Sequence, residues 1–285
     1  MKGKGKAYAL ASATIVNAIA LGKGSAFGID LKLHAEVEIN DSGEIKGKAE
    51  NAKCDTTLIE KCVEKVFNKF NLDFGAKVTT TSEIPMARGL SSSSAAANAV
   101  ILATCSAIGK KLRSLEAINL GVEAAIESRV TITGAFDDAS ASYFGGVVVT
   151  DNIKRKILLK EKMQELSVLI FSPHEASFTS KANVKRAKLF KDFVAIAFEK
   201  ALKKDFFNAL TLNGLIYCSS LGFSPEPAIL ALENNALASG LTGTGSAFVA
   251  LAKEEAIDKI KEAWQSLEGE IIITKTNNEG AKIVK

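Results

Sequence analysis

Histidine and cysteine are scarce in this chain, two and four among 285 residues. His34 and His174 stand far apart, and Cys54, Cys62, Cys105 and Cys218 form no C-x-x-C pair. That spacing excludes the familiar zinc sites, and the apolar or helical surroundings of the thiols predict reduced, buried cysteines. Charge of one sign is lacking as well: 36 Lys and Arg against 32 Asp and Glu leave a net charge of +4. So mild and dispersed a balance suits anionic small molecules and argues against nucleic acid as a partner. No stretch approaches the ~20 uninterrupted apolar residues of a membrane span. The apolar run from Ala7 to Leu21 follows Lys2, Lys4 and Lys6 as a secretory leader would, but Ser12, Thr14 and Asn17 interrupt it. A strand followed by a turn at Gly22 and Gly24 fits it better, and the cytoplasm is the expected location.

The usual nucleotide loops are missing too. Lysine follows glycine at Lys4, Lys6, Lys23, Lys48 and Lys110, and Ser or Thr follows none of them, so there is no Walker A loop. No G-x-G-x-x-G stands at a strand-to-helix junction either. What is present is Ile84 to Val100, I-P-M-A-R-G-L-S-S-S-S-A-A-A-N-A-V. A β-branched run leads into Pro85, Gly89 opens a loop of four serines, and an alanine-rich stretch of high helix propensity follows. The free N–H groups and positive dipole end of a helix that starts among hydroxyls make an anion site, above all for phosphate. The plainer reading of Ser91–Ser94 is a cluster of N-cap serines.

Along the chain, Tyr8–Ile19, Asp30–Ile39 and Lys77–Ile84 carry strand character. Thr57–Phe70, Ala95–Gly109 and Leu115–Ser128 read as helices, with Ser114 a plausible N-cap. A charged stretch from Asp151 to Lys162 separates two halves. Beyond it, Leu166–Phe171 reads as a buried strand, and Phe190, Phe193, Val194, Ala197 and Phe198 fall on one apolar helix face. Phe206–Ser219 and Ala228–Asn235 look helical. Leu237–Thr242 and Phe248–Ala252 are strands around a glycine turn, and Ile271–Thr276 is the last strand expected. The fold class is α+β in two lobes, divided near residue 150 into 1–150 and 151–285.

Three further segments accompany the serine loop: Ala11 to Asp30, Thr133 to Gly146 (T-G-A-F-D-D-A-S-A-S-Y-F-G-G) and Leu241 to Leu251 (L-T-G-T-G-S-A-F-V-A-L). With G-L-S-S-S-S-A they resemble, in order and over nearly the whole chain, the motifs of the GHMP kinase superfamily. Within it the chain most resembles the archaeal type of shikimate kinase. The resemblance implies an N-terminal ATP-binding lobe of ribosomal-protein type and a C-terminal ferredoxin-like α/β sandwich. It implies a magnesium-dependent transfer of the γ-phosphoryl of ATP to the 3-hydroxyl of shikimate, a step towards aromatic amino acids.

Residue roles follow by position. Counting back seven from Gly145 reaches Asp138, the expected base, with Asp137 as the alternative. Eleven positions earlier is Glu127, which with Ser94 is the expected magnesium ligand set. Pro85, Met86, Ala87, Arg88, Gly89, Leu90, Ser91, Ser92, Ser93, Ser94 and Ala95 form the ATP loop. Thr14, Asn17, Lys23, Gly243, Thr244 and Gly245 are the expected acceptor contacts. A lysine present in the first motif of some members is replaced here by Thr14. Lys23 either substitutes for it or holds the acceptor's carboxylate, a task for which Arg88 and Arg129 also compete. Plainer readings stand beside these: a helix-cap carboxylate for Asp138, an exposed helical carboxylate for Glu127, and turn residues for Lys23 and the Gly243–Gly245 segment. The rival functions are homoserine or mevalonate kinase, a nucleic-acid-binding module, and a catalytically silent nucleotide sensor.

Overall fold

A computed structural model describes residues 3–51, 54–131, 134–174 and 184–284. Lys2 and Thr133 lie outside them. Among the described residues, seven strands form one sheet and four a second, so the chain is α+β in two lobes.

The first sheet is built on β1 (Lys4–Val16) and β2 (Lys23–Asn40), which run antiparallel. Ala7, Ala9, Ala11 and Ala13 alternate on the buried face of β1, and small side chains there let the alanine-rich α2 (Ser92–Ala107) pack directly on the sheet. A register shift after Leu10 bends the pair. One half of β2 then holds β4 (Gly75–Ser82) and the other half β5 (Val147–Asp151). Helices α1 (Thr57–Phe70) and α3 (Ser114–Glu127) flank α2, and α4 (Phe136–Phe144) packs on β1 and β2.

Four strands were not named from the pattern, the very apolar β5 and three edge strands. β3 (Ile45–Ala49) pairs parallel with β4. The charged stretch after Asp151 contains β6 (Lys156–Glu161), a hairpin partner of β5 whose alternate residues are exposed. β11 (Lys282–Val284) follows the strand expected to be last and returns to pair with β1. The first sheet therefore takes in residues well past 150 and the end of the described chain. β6 mixes charged and apolar residues and β11 is only three residues long, so neither gives a clear strand pattern in sequence.

The second sheet has the order β10 (Gly269–Lys275), β7 (Ser167–Pro173), β9 (Phe248–Ala252), β8 (Ala238–Leu241), all antiparallel. Around it lie α5 (Val184–Lys188), α6 (Lys191–Leu202), α7 (Phe206–Leu221), α8 (Glu226–Glu233) and α9 (Ile257–Gln265). Trp264 anchors α9: it is fully buried, its ring lies 5.7 Å from that of Phe171, and its Nε1 donates to the Pro227 carbonyl at 2.7 Å. α7 packs on both β8 and β1 and so joins the lobes.

Some local expectations need correction. Phe193 is 57% exposed, because α6 turns Val194, Ala197, Phe198 and Ala201 inward and leaves Phe193 and Ile196 outside. Ser114 is the first residue of α3 rather than its cap; Arg113 holds the cap position, with Glu116 bonding back to its N–H at 3.4 Å. Cys54 is exposed, whereas Cys62, Cys105 and Cys218 are buried. No helix of the described residues is long and apolar enough to cross a membrane.

Candidate active site

A cavity of about 450 Å³ opens between the lobes, and the serine loop forms one of its walls. Left-handed backbone recurs at Ala87, Gly89 and Ser91, with φ of 54°, 79° and 59°. Such alternation turns successive N–H groups to one side and makes an anion-binding concavity. Ser91 holds the N-cap position of α2 but makes no side-chain cap hydrogen bond. Its hydroxyl lies 3.4 Å from the carbonyl oxygen of Ser12 instead, so the N–H groups of the first turn are left for a ligand. Met86, Ala87, Gly89 and Ser91–Ser94 line the cavity, while Leu90 and Ala95 are buried behind it. Pro85 and Arg88 are not part of the lining.

Asp137 and Asp138, in the first turn of α4, line the same cavity, with the Asp138 carboxyl beside the hydroxyls of Ser91 and Ser12. Asp138 is half-buried, and its Oδ1, out of reach of solvent, has no hydrogen-bond partner. Burial pushes its carboxyl well above the usual carboxylate range and the charge of Asp137 adds to this, while the hydroxyls of Ser91 and Ser12 pull the other way. Asp137 is 4% exposed. Burial raises it too, offset by the Asn152 amide, which donates to its Oδ1 at 2.7 Å, and by backbone N–H groups at the helix start.

The third glycine-rich segment braces the serine loop. The Thr242 hydroxyl donates to the Gly89 carbonyl at 3.0 Å, and the Ala247 N–H to that of Arg88 at 3.1 Å. The approach is close enough that a Cβ on Gly89 would collide with the Thr242 carbonyl. Thr14 joins the same junction: its hydroxyl accepts from the Gly243 N–H and its N–H donates to Thr242 Oγ1, both at 3.0 Å. The residue at the place of the family's lysine thus holds two loops together and also lines the cavity. Asn17 lines it as well and donates to the Gly243 carbonyl at 2.7 Å.

Thr14, Asn17, Gly243, Thr244, Ser94 and both aspartates therefore share one cavity with the serine loop. Lys23, Gly245 and Glu127 are outside its lining. Lys23 is exposed at the start of β2, with Nζ 5.8 Å from the centre of the Phe198 ring. A Cβ on Gly245 would meet the ring of Phe223. Glu127 ends α3 with its carboxylate 2.5 Å from Lys65 Nζ, which holds it below the usual range. Of the three basic candidates, Arg129 is the one in the lining; Arg88 is bonded to Ser246 Oγ and the His174 carbonyl. The described residues contain no cluster of three His, Cys, Asp or Glu side chains able to hold a metal alone.

Several lining residues escaped the sequence reading. Asn51, Thr56, Leu58, Ile59, Thr80 and Ser82 extend the cavity away from the aspartates along β4 and the start of α1. They carry no motif, since a slot of mixed polar and apolar side chains from separate elements is set by shape rather than by local spacing. Asn152 and Ser12 were missed because each acts through another residue.

Residues 57–146 match the GHMP kinases N terminal domain, and residues 226–269 match GHMP kinases C terminal. A shikimate kinase of Methanothermobacter thermautotrophicus is 46% identical over 279 residues, covering 96% of each chain. One from Methanosarcina mazei is 48% identical over 285 residues, covering 98% of this chain and 96% of its own. Among solved structures, homoserine kinase from Cytophaga hutchinsonii superposes with a TM-score of 0.78 at 16% identity, covering 100% of this chain and 98% of that one. Mevalonate kinase from Methanococcus jannaschii also gives 0.78 at 16% identity, over 96% of this chain and 98% of its own. At that identity the likeness is one of fold.

Proposed function

We infer the chemistry from one premise: the chain belongs to the GHMP kinases, and it is an ATP-dependent small-molecule kinase. The acceptor is shikimate, on the strength of full-length relatives of that name. The reaction carries the γ-phosphoryl of ATP to the 3-hydroxyl, giving shikimate 3-phosphate and ADP. The observation that carries the mechanism is that Ser91–Ser94 and Asp138 line a single cavity.

Phosphoryl transfer asks for alignment and charge neutralisation more than for covalent chemistry. The N–H groups of the 87–91 loop and the first turn of α2 take the phosphate oxygens of ATP, and the serine hydroxyls add donors. The slot along β4 and α1 takes the adenine end. Asp138, beside Ser91 at the edge of the phosphate loop, accepts the proton of the acceptor hydroxyl and orients its oxygen for in-line attack. Asn17, Thr14 and the Gly243–Thr244 backbone bound the acceptor's side, and Arg129 at the rim is the cation available for its carboxylate.

The donor set suits magnesium, a hard cation that keeps several waters and takes one or two protein oxygens plus phosphates. Ser94 would supply one such oxygen, and Glu127, which is outside the cavity lining and paired with Lys65, would add a carboxylate only by giving up that pair. Bound there, the ion would neutralise charge on the β- and γ-phosphates. The buried thiols fit a cytoplasmic enzyme.

A coupled ADP-release assay with shikimate, homoserine and mevalonate tests the acceptor. Turnover with shikimate alone is expected; turnover with homoserine or mevalonate and none with shikimate refutes it. Salt-sensitive RNA binding without ADP release would favour the nucleic-acid reading instead.

A further inference from the structure

Asp137 is the more costly of the two carboxylates to keep. It is 4% exposed, at the cavity lining and next to a second acid, so little water reaches its charge. An apolar residue of similar volume would be easier to bury at this position. Yet the surroundings are built to hold it. Thr150 Oγ1 donates to Asn152 Oδ1 at 2.6 Å, and Asn152 Nδ2 donates to Asp137 Oδ1 at 2.7 Å. Thr150 is on β5 and Asn152 directly follows it, so the chain of donors approaches from behind the cavity. Next to Thr150, β2 makes room with Gly24, where a Cβ would collide with the Asp137 carboxylate. A fully satisfied polar chain that ends on a buried acid fixes that acid's geometry.

We propose, building on the kinase reading above, that Asp137 is a positioning residue: clamped by the Asn152–Thr150 pair, it fixes Asp138 and opposes a second charge on it, so that Asp138 takes up the acceptor's proton. The donors are unequally shared, which decides the roles. Asp137 has the Asn152 amide and backbone N–H groups, which offset part of the upward push that burial gives its carboxyl. Asp138 has a buried Oδ1 with no hydrogen-bond partner and is the member whose proton affinity is pushed up further. Two like carboxylates in contact do not both ionise readily, and the one with fewer donors becomes the stronger base.

The groups around the pair are few. From β1 come Ser12 and Thr14, from the α2 start Ser91, and from α7 the buried Tyr217, whose hydroxyl is held neutral by burial. From α3, Glu123 is paired with Arg155 and Glu127 with Lys65, while Arg129 lines the same cavity. From β2, Lys23 is over Phe198, and from β5, Asp151 accepts from the Lys154 N–H. In the step itself the acceptor's O–H bond breaks as its oxygen bonds the γ-phosphorus, and the proton passes to Asp138. The bond from that phosphorus to its bridging oxygen breaks, and its electron pair leaves on ADP.

The test is the pH profile of kcat for the wild type and for Asp137→Asn, with KM for ATP measured alongside. Removing the neighbouring charge lowers the proton affinity of Asp138. The acid limb should therefore move to lower pH by about one unit, the plateau should fall, and KM for ATP should stay within about twofold. A folded Asp137→Asn with an unmoved limb overturns the proposal, as does an inactive Asp137→Asn beside an active Asp138→Asn, which would make Asp137 the base. Thr150→Val is the second probe and removes the hydroxyl that holds Asn152 and also reaches the Gly24 carbonyl at 3.3 Å: kcat should fall severalfold with KM for ATP unchanged, and wild-type kcat counts against the proposal even if Asp137→Asn does not fold. Should the wild type turn over a different alcohol, the acceptor assignment fails alone, and the same profiles are read with that alcohol.

Discussion

The side-chain amide of Asn17, just past the end of β1, donates to the carbonyl of Gly243, 226 residues later, at 2.7 Å. The N–H of Asn17 donates in turn to Asn213 Oδ1 on α7 at 3.1 Å, and its own Oδ1 accepts from the Ile19 N–H at 2.9 Å. One side chain thus ties the first motif to the third and to the helix between the lobes. Asn17→Ala should cost about 1–3 kcal/mol, since buried partners lose their bonds. It should raise KM for the acceptor more than for ATP. Denaturant melts and two-substrate kinetics check both, and an unchanged acceptor KM would separate Asn17 from the acceptor subsite.

Asp138→Asn should reduce kcat by about 10²–10⁴-fold while ATP binding, followed by calorimetry, survives. The same variant should be more stable than the wild type at neutral pH. Because the folded-state pKa of Asp138 is raised, the folded protein binds more protons than the unfolded chain above the ordinary carboxylate pKa, and stability falls as pH rises through that window. The gain from Asn should therefore be largest at neutral and alkaline pH and vanish near pH 4. Thermal melts across pH give the answer; a destabilised variant at pH 7 would contradict the burial account.

Gly89→Ala places a Cβ against the Thr242 carbonyl at a φ of 79°. Strain and displacement of the loop should cost about 1–3 kcal/mol and raise KM for ATP at least about tenfold, with acceptor binding less affected. Wild-type ATP kinetics would show that the loop does not hold the phosphates.

Thiol chemistry offers a cheap check on the whole arrangement. Burial pushes Cys105 and Cys218 up to about 12 and Cys62 higher still, whereas Cys54 is exposed and borders the cavity. An aromatic disulfide reagent at pH 8 should label Cys54 rapidly and the other three only on unfolding. ATP should slow the labelling of Cys54. Indifference to ATP would move the adenine end away from the β4–α1 slot.

Ser91–Ser94 and the alanines after them could be read directly, because a helix start is a local event, written within one turn of sequence. Helix α1 was legible at both ends for the same reason: its buried residues recur at helical spacing. Strands β3, β6 and β11 were not, since an edge strand is defined by a partner and β11 finds its own at the opposite end of the chain. Glu127 and Lys23 show the limit for the site. Both have suitable chemistry at the expected offset, yet one faces Lys65 and the other Phe198.

By itself the sequence determined the parts: a hydroxyl-rich anion loop, a pair of aspartates seven and eight residues before a glycine pair, and two apolar lobes to carry them. Only the tertiary structure decided which aspartate keeps a buried oxygen without a partner and which is clamped by Asn152. The reason is physical. Proton affinity and orientation depend on burial and on neighbours from β2, β5 and α7, and those distances come into being when the chain has folded.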